Sequence, residues 1–184
     1  IVISLVGSEM CIRDRSLPLI WMSLYDYQKQ RILTLFNPEA DIYGAGWNIV
    51  QSKIAVGSGG LFGKGFLNGS QSQLNFIPES HSDFIFSVIA EEFGLLGISI
   101  LFLIYGILIY RLLMVSFYSS NKFAKIVSGT LSIILLAYIS INISMVIGLL
   151  PVVGMPLPFL SQGGTALVVN LLTIGIILSL RKEV

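Results

Sequence analysis

The residues of this chain best suited to acid–base chemistry lie in one short stretch, residues 78–86. It reads PESHSDFIF, so that Glu79, Asp83 and the only histidine, His81, come just before a long apolar run. Ionisable groups at the edge of a membrane segment carry a desolvation cost and by default mark a functional site. A carboxylate held in such a place can accept a proton from a hydroxyl. Glu79 and Asp83 are therefore candidates for acid–base chemistry.

The same stretch also permits a structural interpretation. Ser80 and Asp83 have the spacing of a capping box, with aspartate in place of the usual glutamate. Asp83 would then stabilise the start of a helix. The two roles are compatible, because a helix N-terminus favours the ionised carboxylate that a base requires. The sequence alone leaves both interpretations open.

The composition predicts an all-α integral membrane protein. Apolar residues make up 54% of the chain and charged residues only 11%, which excludes an ordinary soluble domain and a disordered chain. One cysteine, Cys11, excludes an internal disulfide framework. Because a span needs about 20 apolar residues, the pattern predicts three full transmembrane helices and part of a fourth. The full spans are placed at 84–113, 123–150 and 157–180, and the partial span at 16–25.

Basic residues predict the orientation of these spans. Five of them flank one face, against a single acid, Glu183: Arg111, Lys122, Lys125, Arg181 and Lys182. By the positive-inside rule this face, with the C-terminus, is cytoplasmic. Residues 26–83 and 151–164 are then extracellular, and residues 26–83 carry no basic excess that would oppose this placement.

The large loop at 26–83 combines short helices with a run of glycines. Residues 26–36 and 47–56 suit short amphipathic helices at the membrane interface. The glycines between residues 57 and 69 permit close approach to a ligand, although they do not match a nucleotide-binding P-loop. Two interpretations stay open for this run, a flexible connector and a loop that shapes a substrate groove.

The first fifteen residues do not fit a membrane segment. Four charges, Glu9, Arg13, Asp14 and Arg15, interrupt the apolar residues, and the string resembles translated library-adapter sequence. We predict that residues 1–15 are not native. Residues 16–184 are then the C-terminal part of a single membrane domain.

Several motifs together resemble the SEDS family of shape, elongation, division and sporulation proteins. They are NPEAD (37–41), GAGWNIVQSKIAVGSGG (44–60), PESHSDFIFSVIAEEFGLLG (78–97), Asn142, Gly148, Pro151, Gly154 and PFLSQGGTA (158–166). The glutamine at 162 departs from the family, which has tyrosine or another small or aromatic residue there. The resemblance favours the elongation branch over the division branch, and it covers residues 16–184.

The resemblance implies a fold and an activity. Members are ten-helix membrane glycosyltransferases of the bacterial inner membrane that polymerise lipid II into peptidoglycan during elongation and rod-shape maintenance. This chain corresponds to the last three full spans and the large extracellular loop, so the fragment alone is expected to be inactive. The implied partners are lipid II, a class B penicillin-binding protein, the elongation machinery and membrane lipids, with no nucleic acid.

The resemblance also implies roles for individual residues. The family's essential extracellular aspartate falls on Asp83, the predicted base. Candidate substrate-binding residues are Lys53, Lys64, Glu79, His81 and Ser161. The lysines can instead serve solubility, and Glu79 and His81 can instead serve the helix start. No cofactor is certain, although a divalent cation is one option. Two other functions stay open, a lipid II flippase and a non-catalytic scaffold for the penicillin-binding protein.

Overall fold

The described part of the chain is entirely helical in the computed structural model, which describes Met22 and residues 25–36, 45–70 and 82–180. Its helices are α1 (Asp26–Phe36), α2 (Ala45–Ser58), α3 (Ile85–Tyr118), α4 (Lys122–Val146) and α5 (Gly164–Leu180). These residues contain no strand, which confirms the predicted all-α class. The predicted amphipathic helices correspond to α1 and α2. Residues 1–15 and the partial span lie almost wholly outside the described residues, so those predictions stand as made.

Helices α3 and α4 form an antiparallel hairpin that carries most of the apolar core. Residues 119–121 join them, and the Asn121 side chain accepts a hydrogen bond of 3.0 Å from the Phe123 backbone N–H, which caps α4. Core positions on α3 recur three or four residues apart, as a helix facing one partner requires. The buried residues of this seam are Leu101, Tyr105, Ile109 and Leu112 of α3 and Leu135 and Ile139 of α4.

The long helices have the dimensions of membrane spans. Helix α3 has 34 residues and α4 has 25, and both are long and apolar enough to cross a membrane, whereas α5 is a shorter apolar helix of 17 residues. At about 1.5 Å per residue these lengths bracket the ~30 Å hydrocarbon layer. Large apolar side chains on all three helices are exposed, as in Leu103, Ile133 and Leu172. Such surfaces suit lipid or further membrane helices.

The helix boundaries differ from the predicted spans where glycine and proline intervene. Helix α4 ends at Val146, since Gly148 adopts a positive φ of 73°. Helix α5 begins at Gly164, seven residues after the predicted start, because the prolines at 156 and 158 lack the N–H that a helix interior needs. At the other end, α3 continues five residues beyond the predicted 113.

Helix α3 is interrupted at Gly94, and backbone groups of the glycine-rich loop replace the hydrogen bonds that are lost there. Gly94 has φ 62° and ψ −156°, which removes local helical hydrogen bonds. Residues 59–65, here called the glycine strap, replace them. Leu95 and Leu96 N–H donate to the carbonyls of Gly60 (2.9 Å) and Leu61 (3.2 Å), while Lys64 and Gly65 N–H donate to those of Glu91 and Glu92 (both 3.0 Å). Broken helices in membranes require such replacement partners. The strap is therefore a fixed part of the bundle, and the flexible-connector interpretation is wrong.

The strap depends on the absence of side chains at its contact points. A Cβ on Gly63 would overlap the Glu92 carbonyl, and its φ of +78° is unfavourable for other residues. We expect Gly63→Ala to lower the free energy of unfolding by about 1–3 kcal/mol, the usual range for overpacking. Denaturant titration in mixed micelles measures this. The control is Gly57→Ala, because a Cβ there meets nothing within 4 Å. Equal stability of the two variants would contradict the prediction.

Candidate active site

Asp83 lies in a turn directly before α3, at the end of the bundle where α4 ends and α5 begins. The turn covers residues 82–84, and Phe84 is the N-cap of α3 without a side-chain capping bond. The first turn of α3 contains no acidic residue, because the helix begins two residues after Asp83. The capping-box interpretation stays a prediction, because its partner Ser80 lies outside the described residues. Asp83 is half-buried.

Two side chains from other elements bind the backbone of this turn. The Asn142 amide Nδ2 in α4 donates to the Asp83 carbonyl over 2.9 Å. The Ser161 hydroxyl donates to the Ser82 carbonyl over 2.6 Å. Both partners are distant in sequence, so tertiary contacts help to position the turn.

Asn142 belongs to this site, although the sequence did not predict a role for it there. The sequence favours an interhelical hydrogen bond for this residue, and only its amide in an apolar span marks it as unusual. Its side chain is 0% exposed. Besides the Asp83 carbonyl, Nδ2 also donates to the Met155 carbonyl, over 2.6 Å. Asn142 thus joins α4, the Asp83 turn and the connection to α5.

The α4–α5 connection, residues 147–163, forms one wall beside Asp83. Gly154 has φ +75°, and a Cβ there would lie 3.4 Å from Asp83 Oδ2. Two contacts from other helices hold the connection: the Tyr105 hydroxyl donates to the Pro158 carbonyl (2.6 Å), and Arg31 Nη1 donates to the Val152 carbonyl (2.9 Å). Leu157 N–H donates to the Ser161 hydroxyl oxygen (2.6 Å). The carboxylate therefore lies against a well-anchored backbone.

Lys53 lies on α2, across the C-terminal end of α4. The neighbouring Ser52 hydroxyl is buried and donates to the Val146 carbonyl over 2.8 Å, which docks α2 on that end. The Lys53 side chain lies over Gly148, since a Cβ there would overlap its Cε. A cation is favourable beside the carbonyls that end a helix. Lys53 thus supports the α4 terminus and, being exposed, can also meet an anion.

Lys64 is engaged within the protein. Its Nζ lies 2.7 Å from Glu91 Oε1 and 2.9 Å from the Ser70 hydroxyl, which itself donates to the same carboxylate. Glu91 is 0% exposed, whereas the Lys64 side chain is 30% exposed. The pair compensates a carboxylate buried beside the α3 break.

Two predicted site residues, Glu79 and His81, lie outside the described residues. In the described part of the chain, no group of three histidine, cysteine, aspartate or glutamate side chains could hold a metal ion. Of the predicted residues that are described, the structure brings Asp83 and Ser161 together through the Ser82 carbonyl. Lys64 instead contacts Glu91.

Comparison with known proteins identifies the class of this membrane bundle. The family model for FtsW, RodA and SpoVE, described as cell cycle protein, matches residues 2–184. The chain belongs to this family, as the SEDS motifs predicted. A solved chain from a peptidoglycan synthase complex that coordinates polymerization and crosslinking superposes with a TM-score of 0.76 and 25% identity, over 98% of this chain and 49% of that one.

The names of three relatives give the same activity, peptidoglycan glycosyltransferase. Peptidoglycan glycosyltransferase MrdB of Escherichia coli K12 is 50% identical over 180 residues, 97% of this chain and 49% of that protein. Peptidoglycan glycosyltransferase RodA of Treponema pallidum is 39% identical over 161 residues, 87% of this chain and 37% of that protein. A probable peptidoglycan glycosyltransferase FtsW of Trichlorobacter lovleyi is 38% identical over 154 residues, 84% of this chain and 40% of that protein. The chain thus spans about half the length of these relatives, or less.

Proposed function

We propose that this chain is the part of a peptidoglycan glycosyltransferase that supplies the catalytic base, Asp83, for polymerising lipid II. The observation that carries the proposal is the fixed position of Asp83: half-buried at the end of the bundle, with Asn142 and Ser161 bound to the backbone around it. The names of the relatives support glycosyl transfer.

The chemistry needs a positioned carboxylate. Chain growth joins a sugar hydroxyl of one substrate to the anomeric carbon of another, and the lipid pyrophosphate leaves. A hydroxyl is a poor nucleophile at neutral pH, so a base that accepts its proton as the bond forms lowers the barrier. The Asp83 carboxylate takes this proton.

The pyrophosphate needs a cation, and Lys53 is the better placed of the two predicted lysines. Lys64 is bound to the buried Glu91, so contact with a phosphate would compete with that pair. Lys53 is exposed and lies at the end of α4 nearest the Asp83 turn. Glu79 and His81 stay candidates for substrate contact. For Ser161 we favour a positioning role, because its hydroxyl already makes two hydrogen bonds.

We extend the proposal to orientation and partners. The Asp83 end faces the outside of the inner membrane, because Arg111, Lys122 and Lys125 lie towards the opposite end of the hairpin. The partner is a class B penicillin-binding protein, supported by the match to a synthase complex. The higher identity to MrdB and the sequence motifs favour the elongation branch.

A chimera tests the function, since the chain covers only part of its relatives. Residues 16–184 replace the matching segment of Escherichia coli MrdB, and the chimera is reconstituted in vesicles with fluorescent lipid II. We expect glycan polymer to form, with its amount rising with the amount of chimera. Lipid II translocation without polymer would favour the flippase alternative. Stimulation of the penicillin-binding protein without polymer would favour the scaffold.

A further inference from the structure

We infer that Asn142 is a positioning residue for Asp83, and that Ser161 is a second positioning residue for it. The inference rests on the proposed role of Asp83 as base. In this role, neither side chain touches the substrate. Both act through the backbone on either side of the Asp83 Cα atom.

The two contacts fall on consecutive peptide groups. The Ser82 carbonyl, which accepts from Ser161, belongs to the planar peptide unit before the Asp83 Cα. The Asp83 carbonyl, which accepts from Asn142, belongs to the unit after it. Because each peptide unit is planar, holding both units fixes φ and ψ at Asp83. The direction of its Cα–Cβ bond, and so the origin of the carboxylate, is thereby set.

Among the described residues, the side chains that donate to these two carbonyls come from other elements. Asp83 precedes α3, whose cap residue Phe84 has no side-chain capping bond. Within the described residues, the Ser87 N–H and hydroxyl both donate to the Phe84 carbonyl, one residue beyond Asp83. Without Asn142 and Ser161, the two peptide units around Asp83 would lose the side-chain donors that hold them.

The hydrogen bonding of Asn142 favours this function over simple packing. Its Nδ2 makes both donations, to Asp83 and to Met155, so the orientation of the amide is defined. Its Oδ1 is buried without a hydrogen-bond partner among the described residues. A residue serving only to fill space would avoid a buried unpaired acceptor. An asparagine at this position is explained by what its amide N–H groups hold.

The test measures kcat and KM for lipid II polymerisation by the chimera carrying Asn142→Leu. Displacement of a catalytic group by about 1 Å can cost about 10²-fold. We therefore expect kcat per inserted protein to fall by at least about 10-fold, with KM within about twofold of the parent. Asn170→Leu, the same change in α5, is the matched control and should leave both constants unchanged. Ser161→Ala should also lower kcat, because it removes the other of the two contacts.

A pH profile separates positioning from a purely structural role. Asn142→Asp has the same shape, but its ionised carboxylate cannot donate to the Asp83 carbonyl, whereas the protonated acid can donate once. The rate of this variant relative to the parent should therefore rise as the pH falls. Because a carboxylate buried at this position also folds better when it is protonated, the rate is expressed per folded, inserted protein at each pH. On that basis a purely structural role gives a constant ratio.

Two results would overturn the inference. One is a kcat for Asn142→Leu within twofold of the parent. The other is a loss of activity that matches the loss of inserted protein, together with an Asn142→Asp to parent rate ratio that does not change with pH. If Asn142→Leu does not insert into the membrane, the other two variants test the inference. Parental kcat values for both Ser161→Ala and Asn142→Asp would then overturn it. An inactive Asp83→Asn beside a fully active Asn142→Leu refutes only the positioning role. Activity of both variants refutes the proposed function as well.

Discussion

Polymerisation of lipid II by the chimera falls by about 10²–10⁴-fold when Asp83 is replaced by asparagine, the usual contribution of a positioned base. Asparagine keeps the size of the side chain but cannot take the hydroxyl proton. The backbone contacts from Asn142 and Ser161 go to carbonyls, so the substitution leaves them in place. Initial rates of polymer formation, normalised to inserted protein, measure the effect.

The matched control is Asp26→Asn in α1. Asp26 is fully exposed and lies 3.8 Å from Lys29, a surface pair of little energetic weight. This variant should polymerise at the parental rate. If Asp26→Asn and Asp83→Asn lost activity equally, the effect would be one of charge or expression and not of a catalytic base.

The second large effect is on stability. We expect Lys64→Met to lower the free energy of unfolding by about 3 kcal/mol, because it leaves the buried Glu91 carboxylate without its cation. The expected value is at the low end of the range for broken buried pairs, since the Lys64 side chain is 30% exposed. Denaturant titration of the chimera in mixed micelles gives the value.

Two further variants show whether the ion pair is the cause. Lys29→Met removes the cation beside Asp26, whose fully exposed carboxylate stays solvated, and should change stability by less than about 1 kcal/mol. Adding Glu91→Gln to Lys64→Met should recover much of the loss, because a neutral amide needs no cation. A loss of less than about 1 kcal/mol for Lys64→Met would contradict the account.

The helices and the importance of the Asp83 stretch could be predicted from the sequence. Long apolar runs show the membrane helices by composition alone, and glycine and proline explain the ends that were misplaced. Gly148 ends α4 before the predicted boundary, and the prolines near Leu157 delay α5. The motifs supplied the family.

The contacts that position the site could not be predicted, because they join residues far apart in the chain. Asn142 reaches the Asp83 carbonyl across 59 positions, and Lys64 reaches Glu91 across 27. The break at Gly94 is equally hidden, since a lone glycine in an apolar run is compatible with a continuous helix. The backbone angles of Gly94 and the hydrogen bonds of the glycine strap show that the helix is interrupted.

The relative polymerisation rates of Asp83, Asp83→Glu and Asp83→Asn chimeras test the central claim most directly. Glutamate keeps a base but displaces it by one methylene, whereas asparagine keeps the position but removes the base. The account predicts that the parent is fastest, that Asp83→Glu is slower, and that Asp83→Asn is slowest. A rate for Asp83→Asn equal to that of the parent, or above that of Asp83→Glu, would contradict the assignment of Asp83 as the base.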